Sequence, residues 1–275
     1  MKIIFLVCAF VPLFVTPLKC EDYENIYTPV LVTDLSRFCF NAAILLAEGD
    51  TKCNGAIISS TKIVTSYKCM IHFDEHHSMY LPFSKNISVR VGSTERLSGG
   101  IIRHVDNVRR ISFPLDDITL RRYPNIQHAI NDLAVLSFKK PLPLGPTICP
   151  IRLAEKKDDI YIKEGSLVEM SGYNTHRFRN ITELRSLTSQ IIEINNKCPT
   201  FHIEERFTMC SMEGAPVILR QKSNSSTTME EPLLLGISAK GRRITVDRNE
   251  IVKMSAFSKC LMDNEKMCFT VASRC

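Results

Sequence analysis

The stretch that decides the fold is Cys53-Asn-Gly-Ala-Ile-Ile-Ser-Ser-Thr-Lys-Ile-Val-Thr-Ser-Tyr-Lys-Cys69. An apolar run follows Gly55, then a polar turn, then a second apolar pair formed by Ile63 and Val64. Two short apolar runs separated by polar turn residues predict a β-hairpin. A cysteine stands at each end of the stretch, so a disulfide between Cys53 and Cys69 could pin the hairpin.

Two further stretches follow the hairpin in order, Asn131-Asp-Leu-Ala-Val-Leu-Ser-Phe138 and Met209-Cys-Ser-Met-Glu-Gly-Ala-Pro-Val-Ile-Leu219. Together the three segments resemble the signature segments of the trypsin-like (chymotrypsin-fold, S1) serine proteases. Those read Cys-Gly-Gly with Ala-Ala-His-Cys, then Asn-Asp-Ile-Ala-Leu-Leu, then Gly-Asp-Ser-Gly-Gly-Pro-Val. The resemblance covers almost all of the mature chain. It implies an all-β fold of two packed antiparallel six-stranded β-barrels with a C-terminal helix.

The same resemblance divides the chain. It implies a trypsin-like domain over residues 21–265, with an N-terminal barrel at about 37–150 and a C-terminal barrel at about 160–255. A short cysteine-containing tail, residues 266–275, follows the domain.

The catalytic triad is degenerate in this alignment. Lys68 stands at the position of the general base, Glu213 at that of the nucleophile, and Asp132 alone matches the family's acid. Nucleophilic catalysis needs a hydroxyl beside a base that a third group orients, so two replacements predict a pseudoprotease that is not an active enzyme. Asp132 also has a structural interpretation, as a cap for backbone amides near the crevice between the barrels.

Other parts of the catalytic machinery also differ from the family. Met212 matches the aspartate that receives the inserted amino terminus of an active protease, and Ser211 matches the glycine of the oxyanion hole. The segment Tyr23–Thr33 has no Ile-Val-Gly-Gly-type start after a basic residue. The substrate-cleft positions are Ala239, Lys240 and Gly241.

The three triad positions carry two anionic side chains, Asp132 and Glu213, and one cationic side chain, Lys68. Because unpaired charges in a partly buried crevice are costly, we expect an ion triad in which Lys68 serves Asp132 and Glu213.

The chain has eleven cysteines, a number that suits an oxidising compartment. The resemblance implies the disulfides Cys53–Cys69 and Cys198–Cys210. It also matches Val168 and Leu219 to a cysteine pair of many family members, so these two residues should pack as hydrophobes. The remaining mature cysteines have no assigned partner: Cys39, Cys149, Cys260, Cys268 and Cys275.

The first twenty residues predict a secretory signal peptide, because Lys2 precedes an apolar run too short to span a membrane. The cleavage site is poorly marked, so whether Cys20 is retained stays open. Three sequons agree with secretion as a glycoprotein, at Asn86, Asn180 and Asn224. We therefore predict a secreted, extracellular protein with no membrane span.

Composition and local patterns complete the expectations. The net charge of +6 is scattered and does not predict nucleic-acid binding. Residues 71–85 are expected to form an expanded loop; consecutive residues rarely all face one ion, so its histidines, His72, His76 and His77, are not expected to hold a metal. No cofactor is expected. The segment from Glu250 is expected to start as a helix.

Three functions are consistent with these features. The first is a secreted, inactive homologue that binds extracellular proteins (proteases, their substrates or inhibitors) as a cofactor, decoy or scaffold. The second is a serine endopeptidase-like enzyme with rearranged residues, for example Lys68 with Ser211. The third, a disulfide-linked structural component, depends on an odd number of mature cysteines. The partner and the oligomeric state are not predictable.

Overall fold

The computed structural model of the chain describes ten segments. They are residues 29–46, 53–74, 79–82, 87–111, 133–173, 182–195, 199–204, 212–220, 231–239 and 248–262. The strands are, in chain order, β1 (Val30–Leu31), β2 (Asn41–Leu46), β3 (Cys53–Ser59), β4 (Lys62–Thr65), β5 (Ile71–Asp74), β6 (Met79–Pro82), β7 (Ile87–Val91), β8 (Ile101–His104), β9 (Asn107–Ile111), β10 (Leu133–Ser137), β11 (Arg152–Leu153), β12 (Leu167–Tyr173), β13 (Leu184–Ile194), β14 (Thr200–Glu204), β15 (Pro216–Arg220), β16 (Pro232–Ser238) and β17 (Arg248–Lys253).

The first barrel is a ring of antiparallel strands in the order β8-β7-β2-β3-β4-β10-β9. Only Val105 and Asp106 separate β8 from β9, so these two act as one bent strand that closes a six-stranded barrel. The predicted hairpin is β3 and β4, which pair from Gly55 opposite Thr65 to Ser59 opposite Lys62. Strand β7 has an alternating burial pattern, since every second residue is buried.

The second barrel closes through the pairings β12–β13–β14–β17–β16–β15–β12. The fold prediction of two six-stranded antiparallel barrels is therefore confirmed. Val168 lies in the core of this barrel and Leu219 packs against that core, as predicted for the positions that match a family disulfide.

Strand β3 explains how the barrels meet. Ile57 points into the first barrel's own core, whereas Ala56 and Ile58 belong to a larger apolar cluster shared with the second barrel. The strand is thus buried on both faces, which is why its sequence is apolar without alternation.

Each end of the described chain docks on the opposite barrel. The N-terminal strand β1 pairs with β13 of the second barrel. The α-helix α1 (Ser258–Met262) lies against the first barrel, where Lys62 Nζ donates to the carbonyl oxygen of Met262 at 3.0 Å and Arg109 Nη2 to that of Cys260 at 3.0 Å. These cations meet the carbonyl end of the helix, where positive charge is stabilising. Burial lowers the pKa of Arg109.

Two local expectations were wrong. Residues 71–85 include a two-stranded sheet, since β5 and β6 pair from Ile71 opposite Pro82 to Asp74 opposite Met79. Glu250 lies in a strand because β17 must pair with both β14 and β16 to close the second barrel, and this tertiary pairing overrides local helical tendency. The helix α1 begins only at Ser258.

The structure supplies a disulfide that the sequence left open. Cys39 is bonded to Cys149 across 110 residues, which ties the entry of the first barrel to the connector between barrels. Cys53–Cys69 is confirmed, and Cys260 is also disulfide-bonded. Cys198, Cys210 and the tail cysteines lie outside the described residues. No helix of the described segments is long and apolar enough to cross a membrane.

Asp159 provides a pH-sensitive link between the connector and the segment before α1. Its carboxylate accepts from Lys156 Nζ at 2.8 Å and from Ser255 Oγ at 2.6 Å, and lies 3.1 Å from Lys253 Nζ. Burial opposes ionisation, but the hydrogen bonds from Lys156, Ser255 and Lys253 outweigh it, and the pKa of Asp159 is lowered.

A pKa lowered by folding means that the stabilisation is present above the unfolded pKa, about 4, and is lost as the pH falls through the folded value. We expect Asp159→Asn to cost about 1 kcal/mol at pH 7 and less at pH 2.5, measured by urea unfolding at both pH values. The exposed Glu164→Gln is the control and should have no effect at either pH. A cost of Asp159→Asn that is as large at pH 2.5 as at pH 7 would contradict the electrostatic explanation.

Candidate functional site

The candidate site begins at the end of the β3–β4 hairpin. The disulfide Cys53–Cys69, with a Cα–Cα distance of 5.9 Å, joins the start of β3 to a 3₁₀ turn, Tyr67–Met70, that follows β4. This turn carries Lys68, which is half-buried. The guanidinium of Arg110 from β9 lies 4.5 Å from the ring centre of Tyr67, a cation–π contact that fixes the aromatic side chain beside Lys68.

Glu213 reaches this hairpin from the second barrel. It lies in the tight turn before β15, closed by the hydrogen bond from Ala215 N to Met212 O at 3.0 Å. Glu213 Oε2 is 4.0 Å from Cys53 Sγ. The Glu213 carbonyl oxygen accepts from Asn54 N at 2.8 Å and from Asn54 Nδ2 at 3.3 Å. A carboxylate is thus held directly against the hairpin disulfide.

This grouping resembles a metal site in composition only. The ligand atoms of Cys53, Cys69 and Glu213 lie within 4.8 Å of one another, and they are the single such group of three in the described segments. A metal ion binds cysteine as the thiolate, and both sulfurs here are held in a disulfide. In the oxidised protein the two cysteines therefore offer no thiolate ligands.

Asn54 organises the contact between the barrels. It is fully buried; its Oδ1 accepts from Tyr173 N at 2.7 Å, and its carbonyl oxygen accepts from Thr65 Oγ1 at 2.6 Å. Two glycines make room for it. A Cβ on Gly172 would lie 2.9 Å from Asn54 Oδ1, and a Cβ on Gly214 would lie 2.2 Å from the Asn54 carbonyl oxygen.

A second polar contact flanks the first. Tyr173 is fully buried and its hydroxyl donates to the Ser93 carbonyl oxygen at 2.7 Å; burial raises the pKa of Tyr173. Arg96 is 5% exposed and donates to the carbonyl oxygens of Ile44 and Cys53 at 2.7 and 3.4 Å. Burial lowers the pKa of Arg96 to about 10, so the guanidinium stays charged at neutral pH.

The comparisons with known proteins agree with this architecture. The family profile described as "Trypsin" matches residues 35–218, about two thirds of the chain. The chain belongs to the trypsin family.

Similarity to individual family members is limited. The chain is 35% identical to Complement C1s subcomponent of Rattus norvegicus over 75 residues, 27% of this chain and 11% of that protein. It is 25% identical to Trypsin epsilon of Drosophila erecta over 127 residues, 46% of this chain and 41% of that protein. These matches thus cover less than half of either relative.

A solved structure shares the fold. The crystal structure of the scabies mite inactivated protease paralogue S-I1 superposes with a TM-score of 0.63 at 18% identity, covering 86% of this chain and 98% of that one. At this identity the match supports the trypsin-family fold.

Several of the predicted site residues lie within the described segments. Lys68 and Glu213 lie on elements that meet at the Cys53–Cys69 disulfide. Met212 is 2% exposed in the apolar core of the second barrel, and Ala239 is buried next to β16. The remaining predicted site residues lie outside the described residues: Asp132, Ser211, Lys240, Gly241, Asn86, Asn180 and Asn224.

Sequence reasoning missed Asn54 and Arg96, two buried polar residues that form hydrogen bonds beside the candidate site. Asn54 replaces a glycine of the family's Cys-Gly-Gly, and this departure was the available signal. Arg96 had none, because a lone arginine after a strand is usually solvated and only the fold shows that it is buried.

Proposed function

We propose that this chain is a secreted, catalytically inactive member of the trypsin family that acts by binding other extracellular proteins. The observation that carries the proposal is the position of Glu213. The turn before β15 brings the Glu213 carboxylate to the hairpin that carries Lys68. In the family resemblance, Glu213 matches the serine nucleophile and Lys68 matches the histidine base. A carboxylate at this position offers no hydroxyl that a base could activate for acyl transfer.

The surroundings of Glu213 support the same conclusion. Met212 is the residue that would have to bind an inserted ammonium group, yet its side chain is apolar and lies in the core. Losing either base or nucleophile costs many orders of magnitude in rate, and here both are replaced.

We expect no hydrolysis of peptide libraries and no labelling by a fluorophosphonate probe. The assay uses the purified secreted protein, with an active trypsin-family protease as positive control and Glu213→Gln as the matched variant. Stoichiometric labelling of any serine would contradict this proposal. Labelling of Ser211 that is lost in Lys68→Met would support the alternative, an enzyme with rearranged catalytic residues.

We propose that Lys68, Glu213 and Asp132 form an ion triad in the former catalytic centre. We expect Lys68→Met to destabilise the protein more than Glu213→Gln, because removing the cation leaves two carboxylates without their counter-ion. Urea unfolding at pH 7 measures both. The reverse order would mean that the crevice is hydrated and that these charges barely interact.

We further propose an extracellular location and a protein partner from a proteolytic system. Disulfides at Cys39–Cys149, Cys53–Cys69 and Cys260 are typical of an oxidising compartment.

Affinity capture from the native secretion, with wild type as bait, tests the binding role. A double variant, Lys68→Ala with Glu213→Gln, and an exposed variant in the connector between the barrels, Ile160→Ser, serve as paired baits. A partner lost only with the crevice variant would support binding at the former active site, and identical captures with all baits would contradict it.

A further inference from the structure

The carboxylate of Glu213 lies next to the Cys53–Cys69 disulfide. Both cysteines are fully buried, whereas Glu213 is half-exposed, and its Oε2 lies 4.0 Å from Cys53 Sγ. The backbone of Glu213 is held in this place by two hydrogen bonds from Asn54. The backbone of Glu213 is therefore fixed on the hairpin, and its carboxylate lies next to the disulfide.

Reduction of a disulfide by a thiol proceeds through an anion. Because both sulfurs are buried, the bridge must first become accessible by local opening. A reducing thiolate then attacks one sulfur of the bridge, a new sulfur–sulfur bond forms, and the electron pair of the old bond leaves on the other cysteine, which then takes a proton. A second reducing thiolate displaces the first from the mixed disulfide. Two protein thiols and one oxidised reductant result. Negative charge accumulates at the sulfurs in both steps.

We propose that Glu213 guards the Cys53–Cys69 disulfide against reduction by anionic thiols. In the proposed ion triad one Lys68 ammonium faces two carboxylates, so a net negative charge remains, and the Glu213 carboxylate repels the incoming thiolate and disfavours the departing one. The residue that replaces the family's nucleophile thus acquires a redox-protective role, independent of any binding function. Thiol reductants of this class include glutathione, which carries a net negative charge.

The protein contains an internal control. The Cys39–Cys149 disulfide lies elsewhere, and Cys149 is half-exposed. A change in global stability alters the opening of both bridges, whereas loss of the guard accelerates reduction of Cys53–Cys69 alone.

The test compares wild type with Glu213→Gln, which keeps the shape and removes the charge. The folded protein is treated with mercaptoethanesulfonate or with cysteamine, alkylated at timed intervals and mapped by mass spectrometry for each bridge. In Glu213→Gln we expect the sulfonate thiol to reduce Cys53–Cys69 about tenfold faster, cysteamine to show a smaller gain, and Cys39–Cys149 to be unchanged.

Three outcomes would overturn the proposal. The first is an unchanged rate at Cys53–Cys69 in Glu213→Gln. The second is an equal acceleration of both bridges, which would indicate general destabilisation. The third is acceleration in Glu213→Ala but not in Glu213→Gln, which would show that bulk shields the sulfurs and charge does not. Glu164→Gln, an exposed carboxylate replaced far from the bridge in sequence, should match wild type.

Discussion

Gly214→Ala is expected to destabilise the protein by more than about 3 kcal/mol, enough to unfold a marginal domain. Gly214 has a φ of +74°, a conformation that costs an alanine about 1 kcal/mol or more. The larger cost is steric. The new Cβ would lie 2.2 Å from the Asn54 carbonyl oxygen and 2.5 Å from Thr65 Oγ1, both in the buried hairpin of the other barrel. Relief requires the turn that carries Glu213 to move away from that hairpin.

Substitutions at Gly165 and Gly145 serve as controls that separate the backbone cost from the steric cost. Gly165 has a φ of +85°, but the nearest atom to its Cβ would be Gln190 Nε2 at 3.5 Å, so Gly165→Ala reports the backbone cost alone. Gly145 has nothing within 4 Å, and Gly145→Ala should change stability by less than about 0.5 kcal/mol. Urea unfolding of the three variants gives the comparison. Equal losses for Gly214→Ala and Gly165→Ala would show that the barrels are not tightly packed at this turn.

Asn54→Asp should cost about 3 kcal/mol at pH 8, because it places a carboxylate oxygen 3.3 Å from the Glu213 carbonyl oxygen in a fully buried position. Burial should raise the pKa of the introduced carboxyl group in the folded protein above its unfolded value of about 4. A raised folded pKa means that the stability of the variant relative to wild type is best below about pH 4 and falls as the pH rises through the folded value. A protonated carboxyl can donate to the Glu213 carbonyl oxygen as Asn54 Nδ2 does.

The measurement is urea unfolding of Asn54→Asp and wild type from pH 4 to pH 8. Asn107→Asp, an exposed position on β9, is the matched control and should show no such dependence. A loss in Asn54→Asp that is the same at every pH would mean that the side chain reaches water.

The sequence predicted the parts of the fold that local patterns encode. The cysteine-bounded hairpin identified β3 and β4. The family resemblance matched Glu213 to the nucleophile position, and the structure brings Glu213 to the hairpin disulfide. These features depend on neighbours in sequence or on a family spacing.

Features that depend on distant neighbours were not predictable. Cys39 and Cys149 are 110 residues apart, and no spacing rule pairs them. The packing of Asn54 depends on two residues distant in sequence. Asn54 is larger than the glycine that the family has at its position, and it fits because Gly172 and Gly214 have no Cβ. Strands β5 and β6 pair only with each other among the described strands, and nothing in their short sequences distinguished them from a loop.

Each end of the described chain packs on the opposite barrel, and this arrangement determines the order in which contacts can form during synthesis. All strands of the first barrel have been translated by Ser137, yet Lys62 and Arg109 find their helix partners only when residues 258–262 have left the ribosome. More than a hundred residues therefore emerge while that outer face of the first barrel lacks its cover. The nascent protein is open to chaperones, and to premature pairing of its cysteines, until its last described helix arrives.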